Sequence, residues 1–239
     1  VFLLGSGPSV KSLDLERLNM ENCIFLNNFI EHPGFEKLAA SSRFSDTEMY
    51  YLIAPIHPPQ TKEIWLEWLA KIDEKVPDNF IVVLGINAKK MNIRRLVESH
   101  GLFKGKQVHY YFAGNYSQRV SRSNIDMCGN VLGSETVSLY AIYAALHIGY
   151  KDIGLIGMDH SYLLYTNTAD MRMFAHAKHQ QGQEKLAFAR ENMYKEYFRQ
   201  YKVFKKYSEL DELFPDRITN YTEGGLLNVF KRKSLDEVL

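Results

Sequence analysis

Short apolar runs alternate with amphipathic stretches along most of the chain. Val1–Leu4, Cys23–Leu26, Met49–Ile53, Phe80–Leu84 and Val108–Phe112 are runs of four or five mostly apolar or aromatic residues. Continuous runs of this length suit strands buried on both faces of a parallel sheet. Between them, Ser12–Leu18 suits a short helix. In Gln60–Lys75, Ile64, Trp65, Trp68 and Leu69 recur at helical spacing. Pro55, Pro58 and Pro59 end the third strand. Gly133–Ile148 is a predicted helix whose Ala141, Ala144 and Ala145 permit close packing on a sheet. A strand over Ile153–Met158, a long helix over Gln183–Tyr207 and a short strand over Arg217–Asn220 complete the pattern.

The alternation predicts an α/β, Rossmann-like fold: a mostly parallel sheet with helices on both faces. Ser161–Gly182 has no clean period despite its aromatics and histidines, and an irregular stretch of that length suits a lid or binding loop. Residues 1–239 are therefore expected to form one nucleotide-binding domain, with a lid at about 161–182.

Composition narrows the functional classes. The chain has 239 residues, enough for a sizeable core, and 46% of them are hydrophobic, which opposes disorder. Its 29 basic and 28 acidic side chains nearly balance, so no whole-molecule field recruits nucleic acid. No apolar run approaches the roughly 20 residues that span a bilayer. Cys23 and Cys128 lack metal-ligand spacing and form no disulfide framework, which suits a reducing cytoplasm. The chain opens directly on a strand without Met, so the start is expected to be trimmed.

Candidate chemistry gathers at the ends of the predicted strands, where open α/β sheets bind ligands. Gly5, Ser6, Gly7, Pro8 and Ser9 join the first strand to a helix. Glycines allow close approach of a ligand, and a helix start favours an anion. The loop is neither the dinucleotide fingerprint nor a P-loop, and a plain capped turn explains it as well. Asn27 and Asn28 end the second strand, offering amides to a ribose or base, or forming an Asx turn. Gly133 and Ser134 open the alanine-rich helix, as a second phosphate or sugar contact or as a cap. Asp159 and His160 follow the Ile153–Met158 strand, with Asp159 suited either to a sugar hydroxyl or to capping.

His176 and His179 in the irregular stretch are candidate general bases. Three residues apart they would share a helix face, but neither an HExxH sequence nor a cysteine partner marks a metal. An Asp-x-Asp triplet, the divalent-metal handle of many nucleotide-sugar enzymes, is also absent.

The motifs resemble a known family. Leu3-Leu4-Gly5-Ser6-Gly7-Pro8-Ser9-Val10, Phe25-Leu26-Asn27-Asn28-Phe29, Gly133-Ser134 before the helix, and His147-Ile148-Gly149-Tyr150-Lys151-Asp152-Ile153 through Gly157-Met158-Asp159 resemble the bacterial sialyltransferases of glycosyltransferase family 42. The same blocks, with Arg217-Ile218-Thr219-Asn220-Tyr221-Thr222-Glu223-Gly224-Gly225, also resemble the MptE-like domain, whose characterised members are 6-hydroxymethylpterin diphosphokinases.

The sialyltransferase resemblance implies nucleotide contacts at Gly5, Ser6, Gly7, Pro8, Ser9, Asn27, Asn28, Gly133 and Ser134. It implies a substrate role for Asp159, His160 and Tyr162, and His176 as catalytic base. The chain departs from it at Ser6 and Ala54-Pro55, where that family has asparagine, and at His160, where it has an aromatic.

The expected activity is metal-independent transfer of a sugar from a nucleotide donor, CMP-linked by preference, to a surface-glycan hydroxyl, without a further cofactor. The alternatives are a Mg-ATP-dependent pterin diphosphokinase and a silent nucleotide-binding module. A homo-oligomer is compatible with either. The helix around Lys195–Lys206 interleaves Lys195, Arg199, Lys202, Lys205 and Lys206 with Tyr197, Phe198, Tyr201 and Phe204. Its aromatics are expected to dock on the core with the lysines in water; the other reading is peripheral contact with an anionic inner-membrane surface.

Overall fold

A computed structural model describes residues 1–42, 46–57, 60–115, 117, 119–164, 172–173 and 193–239. The apolar runs become strands β1 (Phe2–Leu4), β2 (Cys23–Leu26), β3 (Met49–Ile53), β4 (Ile81–Ile86), β5 (Gln107–Asn115) and β7 (Ile153–Ile156). β6 (Asn130–Leu132), β8 (Ile218–Asn220) and β9 (Lys231–Arg232) complete one sheet. Its order is β6-β5-β4-β3-β2-β1-β7-β8-β9, and every neighbouring pair is parallel. The expected α/β Rossmann-like class is therefore the observed one, and the sheet is wholly rather than mostly parallel.

Side chains alternate between two cores because successive residues of a strand point to opposite faces. Phe2, Leu4, Phe25, Tyr51 and Ile53 join the first core. Helices α1 (Phe35–Ser41), α2 (Lys62–Lys75) and α3 (Ile93–His100) cover that face. Leu3, Ile24, Leu26, Tyr50 and Leu52 join the second, covered by α4 (Val137–Ile148) and α5 (Met193–Leu213).

α2 buries Trp65, Trp68, Leu69 and Ile72 on the stripe that its sequence spacing predicts. α3 starts where the Asn92 side chain accepts from Arg95 N and stops at Gly101, whose φ of 63° is left-handed. Every residue of α4 from Ser138 to Ala145 is buried, and its alanines allow the helix to lie close to the sheet.

Three local expectations are corrected. Ser12–Leu18 is not one helix but part of two 3-10 turns, Pro8–Ser12 and Leu15–Leu18, parted by extended Leu13 and Asp14. The alanine-rich helix begins at Val137, after extended Thr136, rather than at Gly133. On α5, Tyr207 and Val203 are buried, but Tyr194, Tyr197, Phe198 and Tyr201 are exposed and Lys206 is buried. The expected sorting, aromatics inward and lysines outward, thus fails over the first three turns. The polar partners of Lys206, described below, are what draw it inward.

Candidate functional site

The chain runs outward from β1 to β6, then returns through α4 to place β7 on the other side of β1. This reversal of direction opens a crevice at the carboxyl ends of β1 and β7, the switch point where such sheets bind ligands. A cleft of about 930 Å³ lies there. It is lined by the first loop, the ends of β2 and β3, the turn before α4, the loop after β7 and the start of α5.

The first loop is tied to the loop after β7. Gly5 N donates to Ile156 O (2.8 Å) and Gly7 N to Gly157 O (3.0 Å). Ser9 donates from its backbone N to Asp159 Oδ1 (3.2 Å) and from its hydroxyl to Asp159 Oδ2 (2.8 Å). A Cβ on Gly7 would lie 1.8 Å from Asp159 Oδ2, and one on Gly5 would lie 2.6 Å from Gly157 O. The glycines are thus demanded by the contact between the two loops, quite apart from any ligand. The N–H groups of Gly7 and Ser9, expected to be open to an anion, are committed to the protein.

Burial raises the Asp159 pKa, while the Ser9 bonds and the Arg232 charge oppose the rise. The C-terminal segment supports Asp159 from behind. Leu226 N donates to its carbonyl (2.7 Å), and a Cβ on Gly225 would lie 2.5 Å from that same oxygen.

Asn27 and Asn28 both line the cleft, with much of their polarity turned inward. Asn27 is left-handed (φ 49°), its side chain accepts from Ala54 N (3.1 Å), and its carbonyl accepts from the Tyr51 hydroxyl. Asn28 Oδ1 accepts from Trp68 Nε1 at 2.5 Å. Ser134 N donates to the Tyr140 hydroxyl (2.8 Å), and Ser134 Oγ accepts from Thr136 N (3.3 Å). Ser134 therefore shapes the approach to α4, whose own N-cap, Thr136, makes no side-chain cap bond.

His160 is 7% exposed, left-handed at φ 49°, and held at Nε2 by the Tyr207 hydroxyl (2.8 Å). Burial pushes its pKa down to about 3, helped by the charges of Arg199 and Arg172. Tyr207 continues a buried chain of hydroxyls to Ser138 (2.5 Å) and on to Thr136 (2.8 Å).

Sequence reasoning missed the cationic half of the site. Arg172 and Arg199 each place a guanidinium 5.5 Å from the Tyr162 ring centroid. Burial works against the Arg199 charge, but two bonds to the Glu196 carboxylate outweigh it and raise its pKa. Arg199 also donates to Glu135 O (3.1 Å). Burial likewise raises the Glu135 pKa, but Lys202 at 2.5 Å and Lys206 at 3.1 Å bring it below the ordinary carboxylate value. Lys206 donates again to Gly133 O (2.7 Å), which explains a lysine inside the core.

Arg172 differs from these. Its Nη1 reaches Ser6 Oγ only at 3.5 Å, its buried Nε has no hydrogen-bond partner, and among the described residues no carboxylate pairs with it. The other wing of the cleft carries Trp65, Trp68, His57, Asn87 and Lys89. Trp65 and Trp68 were legible as a helix stripe, but nothing local marked their edges as a site wall.

His176 and His179 lie outside the described residues, as does most of the expected lid. Asp126, Cys128 and His147 bring their ligand-type atoms within 4.8 Å of one another on the surface. No helix among the described residues is long and apolar enough to cross a membrane. No family model, curated protein or solved structure matches the chain.

Proposed function

We propose that the switch-point cleft binds the phosphate-bearing part of a nucleotide, and that the protein transfers a sugar from a nucleotide-linked donor. The observation that carries this reading is Arg172, a cation beside Ser6 of the first loop with no carboxylate partner among the described residues. A partly buried guanidinium is costly without a counter-charge, and a bound phosphate would supply one with charge-assisted hydrogen bonds. The start of α4, which has no side-chain cap bond and lines the same cleft, also favours negative charge there. Trp65, Trp68 and Tyr140 offer aromatic surface for a base or sugar.

The acids of the cleft favour metal-independent glycosyl transfer over the Mg-ATP-dependent pterin reaction. Asp159 is engaged by Ser9, Glu135 by Lys202 and Lys206, and Glu196 by Arg199. A divalent cation would have to compete with these partners for its carboxylates. A CMP-linked donor and a surface-glycan acceptor remain the substrates proposed from the family resemblance, and His176 the proposed base. His160 does not suit that role: a pKa of about 3 makes it a weak proton acceptor, and its Nε2 faces Tyr207.

The test is a thermal-shift titration with CMP, UDP, GDP and ATP, with and without Mg²⁺, on the wild type and Arg172→Gln. A ligand of the native state raises Tm by mass action. The expected result is a metal-independent rise with one nucleotide, and affinity reduced about tenfold or more by Arg172→Gln, equivalent to roughly 1.4 kcal/mol. No shift with any nucleotide, or the same affinity in Arg172→Gln, overturns the placement. A shift that needs Mg²⁺ and ATP favours the diphosphokinase instead.

A further inference from the structure

At the far end of α4 from the cleft, three side chains form a second arrangement that the proposed transfer does not use. Cys128 and Asp126 lie in the turn before β6, and His147 lies in the last turn of α4. The Cys128 Sγ is 3.7 Å from His147 Nε2, and His147 Nδ1 is 3.1 Å from Asp126 Oδ1. The three side chains thus bring a thiol sulfur, an imidazole nitrogen and a carboxylate oxygen within 4.8 Å of one another.

Two rigid pieces of backbone hold them. Asp126 O accepts from Gly129 N (3.0 Å), closing the turn, and Asp126 Oδ1 accepts from Cys128 N (3.0 Å). Helix α4 ends at left-handed Gly149 (φ 104°), whose N, like that of Tyr150, donates to Ala145 O. His147 is thus fixed opposite a turn that is itself fixed.

Two uses of the trio can be compared. As metal ligands the three residues would fall one short of the four of a closed structural zinc site. The contact between Cys128 Sγ and His147 Nε2 suits proton transfer without a metal. Asp126 Oδ1, 3.1 Å from Nδ1, would offset the charge of the imidazolium that the transfer forms.

We propose that Cys128 is an activated surface thiol that exchanges with low-molecular-weight disulfides to form a mixed disulfide. In the step, His147 Nε2 takes the thiol proton as Cys128 Sγ attacks one sulfur of the disulfide. The new S–S bond forms as the old one breaks, and the proton held on His147 passes to the departing thiolate. One disulfide is consumed, one disulfide and one thiol are produced, and no further oxidant is needed. The other cysteine, Cys23, is fully buried, and burial raises its thiol pKa far above the ordinary value. It cannot readily resolve the adduct, so the modification persists until an external thiol removes it.

Oxidised glutathione is the probe, in metal-free buffer with a chelator present, and intact mass follows adduct formation from pH 6 to 9. The variants are Cys128→Ser, His147→Gln and Asp126→Asn, the last retaining an oxygen able to accept from Cys128 N. The expected result is one adduct per chain, absent in Cys128→Ser. At pH 7 its rate should fall about tenfold or more in His147→Gln, the scale set by the small thiolate fraction of an ordinary cysteine. Asp126→Asn should slow it less. The rate should depend weakly on pH in the wild type and rise steeply with pH in His147→Gln, a change that a purely structural role would not produce. Unchanged melting temperatures confirm that the variants are folded. A wild-type rate and pH profile matched by His147→Gln, or no adduct at Cys128, overturns the proposal.

Discussion

The Ser9 hydroxyl donates to Asp159 Oδ2 at 2.8 Å, joining two loops that stand 150 residues apart in the chain. The bond closes the base of the switch-point cleft, and the backbone N of Ser9 adds a second contact to the same carboxylate. Asp159→Ala should therefore leave two Ser9 donors without their acceptor and lower stability by about 1–3 kcal/mol. Ser9→Ala should cost about 1 kcal/mol, and the double variant should cost less than the two together, because both break one network. Urea unfolding of the three proteins checks this; additive losses would show that the two residues act independently.

Gly7→Ala should destabilise the fold before any ligand is considered. Its new Cβ would lie 1.8 Å from Asp159 Oδ2, so either the loop or the carboxylate must move. Overpacking of this kind typically costs about 1–3 kcal/mol. A melting temperature equal to that of the wild type would show that the two loops separate freely.

His160 should make stability depend on pH. Its folded pKa of about 3 lies below the unfolded value near 6.5. Between those values the unfolded chain binds the proton and the folded chain does not. Its contribution is therefore complete above about pH 6.5 and declines as pH falls toward 3, by at most about 1.4 kcal/mol per pH unit. His160→Asn tolerates the left-handed backbone and has no titrating ring. Its stability curve should be flatter than that of the wild type between pH 6.5 and 5, and parallel curves would show that His160 is not the source.

His176→Ala should reduce turnover at least about a hundredfold while nucleotide affinity changes little, the signature of a lost general base. His57, the exposed histidine lining the cleft beside Trp65, is the rival. Steady-state kinetics of His176→Ala and His57→Ala decide between them. Near-normal turnover in His176→Ala, with a large loss in His57→Ala, moves the proposed base to the α2 side of the cleft.

Peripheral membrane contact would use the exposed face of α5, where Tyr194, Tyr197, Phe198 and Tyr201 accompany exposed Lys195 and Lys205. The first three turns carry one acid, Glu196, and it is bound to Arg199 and Gln200. Sedimentation with anionic vesicles should therefore occur at low salt, weaken as salt rises, and fall in Tyr197→Ser/Tyr201→Ser. Vesicles that leave the protein in solution at low salt would exclude this contact.

The sequence by itself determined the class of fold, because that information is local. A parallel-sheet strand buried on both faces must be apolar throughout, which is why Cys23–Leu26 and Met49–Ile53 could be read directly. Amphipathic spacing placed α2 in the same way, and the glycine loop and the Asp159–His160 step marked strand ends where a site belongs. The short α1 and the edge strands β6 and β9 leave weak periodic signals and were not read; α3 was missed although Ile93, Leu96 and Val97 recur at helical spacing, because the helix is only eight residues long.

Only the tertiary structure decided what the site residues do. Whether Gly7 makes room for a ligand or for Asp159 depends on a loop 150 residues away. Lys206 reads as a solvated lysine until Gly133 and Glu135 are brought beside it. His160 reads as a titrating group until burial removes its charge. Arg172 carried no local signal, and Asp126, Cys128 and His147 have no motif spacing because two separate elements bring them together. Hydrophobic periodicity is written along the chain, whereas desolvation and charge pairing arise between segments that only the sheet makes neighbours.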